Sequence, residues 1–278
     1  MIEQKIKEYL LPCAFNAAVR AGAEIMKVYS AQGDEYDIKV KSDNTPLIIA
    51  DRLAHNKIKE VLGETRIPIL SEEGREILYE ERKNWEMFWL IDPLDGTIEF
   101  IKGNNEFTVN IALMVENECV GAIVYAPYLG KAYFAEQGCG AMLLEGIEPN
   151  ESADYTNRDI RTQAQALPLK TTSHDNFRIA VSRSHQTAET AEYIAKMQEI
   201  HHDIEVIEQG SSYKFCLMAE GAIDYYPRTT TTYEWDTAAA ELILVESGGT
   251  VRSLPDHRPL RYNKENLHNP WFECCRFK

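Results

Sequence analysis

No apolar stretch in this chain approaches the length needed to cross a membrane. Its opening residues, MIEQKIKEYLLPCAFNAAVRAGAEIM, carry charges where a secretory leader needs an unbroken apolar core. The expectation is a cytoplasmic protein without a transmembrane segment. Positive charge is scarce: 29 Lys and Arg stand against 44 Asp and Glu, a formal net charge of −15 over 278 residues. That balance excludes a sequence-independent DNA or RNA surface, which needs clustered cations to displace counterions. An anionic small substrate would also meet an unfavourable field unless cations sat at the site, a first hint of metal. Cysteine is sparse as well. Cys13, Cys119, Cys139, Cys216, Cys274 and Cys275 form no paired C-x-x-C spacing and are too few for a disulfide framework, so they read as reduced thiols. No Gly/Ser linker, low-complexity tract or short repeat interrupts the chain, which excludes disorder as its default state.

What is present is periodic. Helical apolar spacing runs through residues 2–29, including Ile6, Leu10, Ala14, Ala18, Ala21 and Ile25, with Gly33 as a stop. It returns from Leu47 to Leu62, with Leu53, Ile58, Val61 and Leu62 on one side, so Asp51 falls in the first turns of a second helix. From Ile67 to Tyr133 the period becomes two. IPIL, MFWLI, TVNIALMV, CVGAIVYAP and AYFAEQG predict strands, the last three joined as an antiparallel meander through Glu116-Asn117-Glu118 and Tyr128-Leu129-Gly130-Lys131. Residues 146–175 are polar and poorly periodic, which predicts a connection or surface excursion. Beyond them, strand-like RIAVS, IEVI and AIDYYP alternate with helical Ala188–Ile200, Ser211–Glu220 and Trp235–Glu246, the pattern of an α/β layer.

The strongest chemical signal is Asp92-Pro93-Leu94-Asp95-Gly96-Thr97 at the end of an apolar strand. Pro93 is expected to stop the ladder and a turn to bring Asp95 back beside Asp92. Two close carboxylates repel, and a hard divalent cation such as Mg²⁺ relieves this; a turn held by Asx hydrogen bonds is the plainer alternative. Ser71-Glu72-Glu73-Gly74 also places acids directly after a short strand, and Asp236 opens a small-residue helix. Alone, the first would be a solvated pair and the second an N-cap. All three together point to one metal site.

Glu72-Glu73, the DPLDGT run at 92–97 and the WDTAA run at 235–239, in that order, resemble the inositol monophosphatase-like superfamily of metal-dependent, lithium-sensitive phosphatases. The resemblance covers nearly the whole chain. Lys41-Ser42-Asp43-Asn44-Thr45-Pro46, residues 96–113, Val181–His185 and Gly210–Leu217 are most similar to the bacterial 3′(2′),5′-bisphosphate nucleotidases of that superfamily, a branch of sulfur metabolism. The resemblance implies a layered αβαβα sugar-phosphatase-like fold of mixed α/β (α+β) class. It places an antiparallel-sheet lobe at 1–150, a connection at 151–175 and a C-terminal α/β lobe at 176–278. It implies two or three Mg²⁺ ions per site held by Glu72, Asp92, the Leu94 carbonyl, Asp95 and Asp236, with Asp51 and Thr97 activating water. Gly96, Thr97, His185, Ser211, Lys214, Arg228 and Asp236 would contact substrate. The implied reaction removes the 3′-phosphate of adenosine 3′,5′-bisphosphate, and of 3′-phosphoadenylyl sulfate, in the cytoplasm or peripherally at the inner face of the cell membrane. Ala238-Ala239-Ala240 and Thr229–Thr232 depart from the family pattern at the pocket wall. An inositol- or sugar-phosphate phosphatase, and a non-catalytic Mg²⁺ or nucleotide sensor, are the competing readings.

Overall fold

Small residues dominate the buried side of the first helix, and they let it lie close to its neighbours. The computed structural model describes residues 6–30, 39–40, 46–47, 49–169, 175–185 and 187–276. A π-helical turn at Ile6–Leu10 leads into α1 (Leu11–Ser30), which buries Ala14, Phe15, Ala18, Ala21 and Ile25. The two-residue strands β1 (Lys39–Val40) and β2 (Pro46–Leu47) pair antiparallel ahead of α2 (Ile49–Gly63). On α2, Ala50, Ala54, Ile58, Val61 and Leu62 face inward, whereas Leu53, expected on the same side, is 36% exposed. It lies five residues before Ile58, about 500° around the helix, and so off the inward stripe. The expected stop at Gly33 and residues Lys41–Thr45 of the motif lie outside the described residues.

Seven strands follow in one sheet: β3 (Ile69–Ser71), β4 (Met87–Asp95), β5 (Thr108–Val115), β6 (Glu118–Ala126), β7 (Lys131–Glu136), β8 (Ala141–Glu145) and β9 (Gln165–Ala166). Only β3 and β4 run parallel; the rest form the expected meander. Short helices α3 (Tyr79–Arg82) and α4 (Thr97–Lys102) flank β4. The stretch 151–169 is more than a connection. It supplies α5 (Asn157–Thr162), closed by a Thr156/Asp159 capping box, and the edge strand β9, while Ala153 and Ile160 join the first core. A six-residue helix and a two-residue strand are too short to impose a readable period on the sequence.

The second sheet takes the order β11-β10-β12-β14-β13, from β10 (Phe177–Ser182), β11 (Ile204–Gln209), β12 (Tyr225–Arg228), β13 (Thr250–Ser253) and β14 (Phe272–Cys275). The helices α6 (Ala188–Ile200), α7 (Tyr213–Glu220) and α8 (Glu234–Glu246) complete the chain. Three apolar clusters define five layers. The first joins α1 and α2 to one face of the large sheet; the second joins its other face to α7, α8 and the small sheet; the third lies between the small sheet and α6. The layering is therefore α, β, α, β, α, as expected. α8 in the middle is apolar nearly all round, as a helix buried between two sheets must be.

Gly22 of α1 lets the helix lie close against the sheet. A Cβ there would come within 3.0 Å of the Pro127 Cβ and closer still to the Tyr125 ring, itself fully buried with its hydroxyl donated to the Ile147 carbonyl. Helix propensity favours Ala over Gly by about 1 kcal/mol, but overpacking a rigid core costs about 1–3 kcal/mol. We expect Gly22→Ala to lower the denaturation midpoint in urea. A midpoint at or above wild type would show that Tyr125 yields.

Candidate active site

The chain does not turn at Pro93. β4 continues to Asp95, with Asp92 opposite Asn110 and Asp95 opposite Thr108, so Pro93 and Leu94 together face the single residue between them. This is a bulge, where a proline's missing N–H is tolerated. Its consequence is chemical. Side chains alternate faces along a strand, and the extra residue shifts the alternation so that Asp92 and Asp95 share a face. The Leu94 amide donates to Asp92 Oδ1 at 3.1 Å, and the Thr97 hydroxyl donates to the Leu94 carbonyl at 3.3 Å. Gly96 precedes α4 with φ +90°, and a Cβ there would lie 3.0 Å from the Glu106 carbonyl oxygen, so glycine is required on both counts.

Two further elements bring acids to this strand end. Glu72 leaves β3, whose parallel pairing with β4 is extended by a 3.2 Å bond from the Glu72 amide to the Ile91 carbonyl. Asp236 sits in the first turn of α8, where its Oδ2 accepts the Tyr233 amide at 2.9 Å while the helix start aims it at β4. Glu72, Asp92 and Asp236 each present an oxygen within 4.8 Å of the others, close enough for one metal ion. Burial pushes the Asp92 carboxyl well above the usual range, and so do Glu72, Asp95, Asp236 and Asp51. Burial, Asp95 and Glu72 do the same to Asp236. Asp95 is raised by burial but partly offset by Lys214, and it accepts the Ser212 amide. Oxygen donors whose charges repel at close range fit a hard divalent cation.

All but one of the sequence-predicted positions line a single cleft of about 490 Å³. The exception is Asp51, which is 1% exposed, does not line it, and acts on Asp92 by charge. The same cleft is lined by His185, Ser211, Lys214 and Arg228. Lys214 lines the cleft and is also built into its wall. It is 3% exposed, and its ammonium donates to the Gln209 and Ser211 carbonyls at 3.2 and 2.6 Å, which braces the turn carrying Ser211 at φ +47°. Burial, with Arg228 nearby, lowers its pKa to about 8. Arg228 is the better candidate for an anion, because its Nε is buried in the cleft wall without a hydrogen-bond partner. His185 stands at the rim, where desolvation and the Arg228 charge hold its imidazole below the usual range.

Sequence reasoning missed the residues that clasp the two sheets. Ser212 bonds Asp95 through its amide, and its hydroxyl lies 2.8 Å from both Thr108 and Asn110 on β5. Glu106 accepts a two-pronged Arg183 at 2.9 and 2.7 Å and the Gly210 amide at 2.7 Å. Buried Glu99 accepts the Ser184 hydroxyl at 2.5 Å. Glu99 and Glu106 both follow the DPLDGT run; as isolated acids they gave no signal before their partners were in place.

The profile of the inositol monophosphatase family matches residues 6–270, and the chain belongs to that family. It is 39% identical over 259 residues to the 3′(2′),5′-bisphosphate nucleotidase CysQ of Salmonella typhimurium, covering 92% of this chain and 95% of that protein. The CysQ of Haemophilus influenzae is 35% identical over 272 residues, covering 96% and 93%. The crystal structure of CysQ from Bacteroides thetaiotaomicron superposes with a TM-score of 0.86 at 43% identity, covering 96% of this chain and 97% of that one. Among the described residues no helix is long and apolar enough to cross a membrane.

The carboxylate repulsion has a measurable sign. Asp92 titrates higher in the folded chain than in the unfolded one, so its contribution is fully present below the unfolded value and lost as pH rises through the folded value. In EDTA, Asp92→Asn should therefore melt above wild type, and the gap should widen as pH rises above the ordinary carboxylate range. A gap independent of pH would show that Asp92 is not held against its neighbours' charge.

Proposed function

We propose that this protein is a Mg²⁺-dependent 3′(2′),5′-bisphosphate nucleotidase, removing the 3′-phosphate of adenosine 3′,5′-bisphosphate and leaving AMP, with 3′-phosphoadenylyl sulfate as a second substrate. The observation that carries this reading is one cleft that brings together two kinds of group: the carboxylates of Glu72, Asp92, Asp95 and Asp236, and the cations Lys214 and Arg228, the latter with an unpartnered Nε. The relatives' names support the substrate class.

When bound, Mg²⁺ would neutralise phosphate charge and acidify a water molecule. Glu72, Asp92, Asp95, Asp236 and the Leu94 carbonyl would hold it. Everything else falls to the chain's own groups. Gly96 and Thr97 offer backbone amides to the phosphate being cleaved, at a turn that glycine alone can make. Thr97 Oγ1, in the cleft, would hold the attacking water, and the buried Asp51, whose charge is felt at Asp92, would take up its proton. Arg228 binds the phosphate that is retained. His185, held neutral at pH 7, donates or accepts a hydrogen bond at the base. In this reading Lys214 shapes the Ser211 turn and lends charge to the cleft.

Two variants test it. A charge-assisted contact contributes roughly 1.5–3 kcal/mol, so Arg228→Ala should lower kcat/KM for adenosine 3′,5′-bisphosphate about ten- to a hundredfold, mostly through KM. Activity on inositol 1-phosphate should change much less. Wild-type preference for inositol 1-phosphate, or equal losses on both, would make an inositol-phosphate phosphatase the better reading. Asp51→Asn should cut kcat by about 10²–10⁴ while calorimetry shows Mg²⁺ binding retained. Unchanged kcat would remove Asp51 from the proton path. Zero phosphate release by wild type with intact Mg²⁺-dependent nucleotide binding would favour the sensor reading.

A further inference from the structure

A second cleft, of about 310 Å³, opens further along α8 from the first. That volume sits at the lower end of the range for small-molecule sites, about 300–1,000 Å³. It lies between the β5–β6 turn, α8, β13 and the chain segment before β14. Its walls are chiefly apolar, with Leu242, Val245, Val251 and Leu260 prominent. The charged side chains around it are unbalanced: Glu118, Glu241 and Glu246 against Arg252 alone.

Two of these charges are already engaged. The Glu246 carboxylate accepts the Gly138 and Gly140 amides at 2.8 Å each, and the Arg252 guanidinium donates to the His257 carbonyl at 3.0 Å. Glu241 lines the cleft from the middle of α8, and its carboxyl also accepts bonds, from the Tyr262 hydroxyl and the Leu260 amide. Burial raises its pKa to about 7, and a cation placed beside it in the cleft would favour its charged form. A fixed carboxyl against an apolar wall matches a molecule with a hydrocarbon body and a positive head. It disfavours phosphates and carboxylates.

We propose that this second cleft binds a small organic amine, with the ammonium group on Glu241 and the hydrocarbon body against Leu242, Val245 and Leu260. The site is independent of the catalytic reading. It is also connected to the first cleft: the Tyr262 hydroxyl reaches Thr237 Oγ1 at 3.3 Å, and Thr237 lines the first cleft beside Asp236.

The test is a methyl NMR titration of the full chain with 2-phenylethylamine, using 3-phenylpropionate as the anionic counterpart of similar shape. The amine should shift the Leu242, Val245 and Leu260 methyl signals saturably at concentrations up to about 10 mM, a range suited to weak small ligands. The carboxylate should leave them unmoved. Glu241→Gln should weaken amine binding at least about tenfold. Val245→Trp, at a position 42% exposed and so placed to fill the cleft mouth without disturbing the core, should abolish it. The proposal is overturned if the amine produces no shift, if both probes titrate alike, or if binding survives Val245→Trp. Should Glu241→Gln fail to fold, the probe comparison and Val245→Trp still decide.

Discussion

Asp92 is buried near the end of β4, and the four side chains that press on its charge, Glu72, Asp95, Asp236 and Asp51, are all acids. A fold tolerates such an arrangement only if it is strongly determined by everything around it, because the site itself opposes folding until a cation arrives. Much of the surrounding structure can be understood as that determination. The bulge at Pro93 turns two aspartates to one face, the parallel β3 brings Glu72 alongside, and α8 delivers Asp236 with its carboxylate already engaged by the Tyr233 amide.

The middle layer does the rest. α7 and α8 are covered on both sides, and the second apolar cluster spans both sheets as well as these helices. A helix buried on both sides cannot slide without disturbing two sheets at once, which is why its first turn is a rigid place for a ligand. The same burial explains polar side chains that surface reasoning would never predict. Glu234 is fully buried at the helix start, satisfied by the Asn263 and Lys264 amides at 2.6 and 3.0 Å and by the Lys264 ammonium. Asn269 similarly bonds Thr232, Tyr233 and Thr237 around the turn that carries Asp236.

Much of this was legible in the sequence because it is local. Period-two runs marked β4 to β7, helical spacing marked α1, α2 and α8, and the acids after strand ends marked the cleft. The illegible parts have specific causes. Pro93 reads as a strand terminator, and only the pairing partner reveals that the ladder resumes at Asp95. Lys214 enters the sequence reading only as an implied substrate contact, and only the fold shows carbonyls of its own turn closing around it. Ser212 contributes through its backbone amide, which no side-chain pattern encodes. Residues 151–169 attach to the first sheet through pieces too brief to leave a period, anchored by Asn16 bonding Tyr155.

The Ser212 clasp ties Asp95 to a residue 117 positions later in the chain. A contact of that span closes only after both sheets have formed and docked, since distant segments meet at a large loop-entropy cost with little early reward. The aspartate pair is written in the first third of the chain, yet its final geometry waits for the last third. During synthesis the nascent chain therefore carries an incomplete acid cluster for much of its length, and the finished cradle comes into being together with the completed tertiary structure.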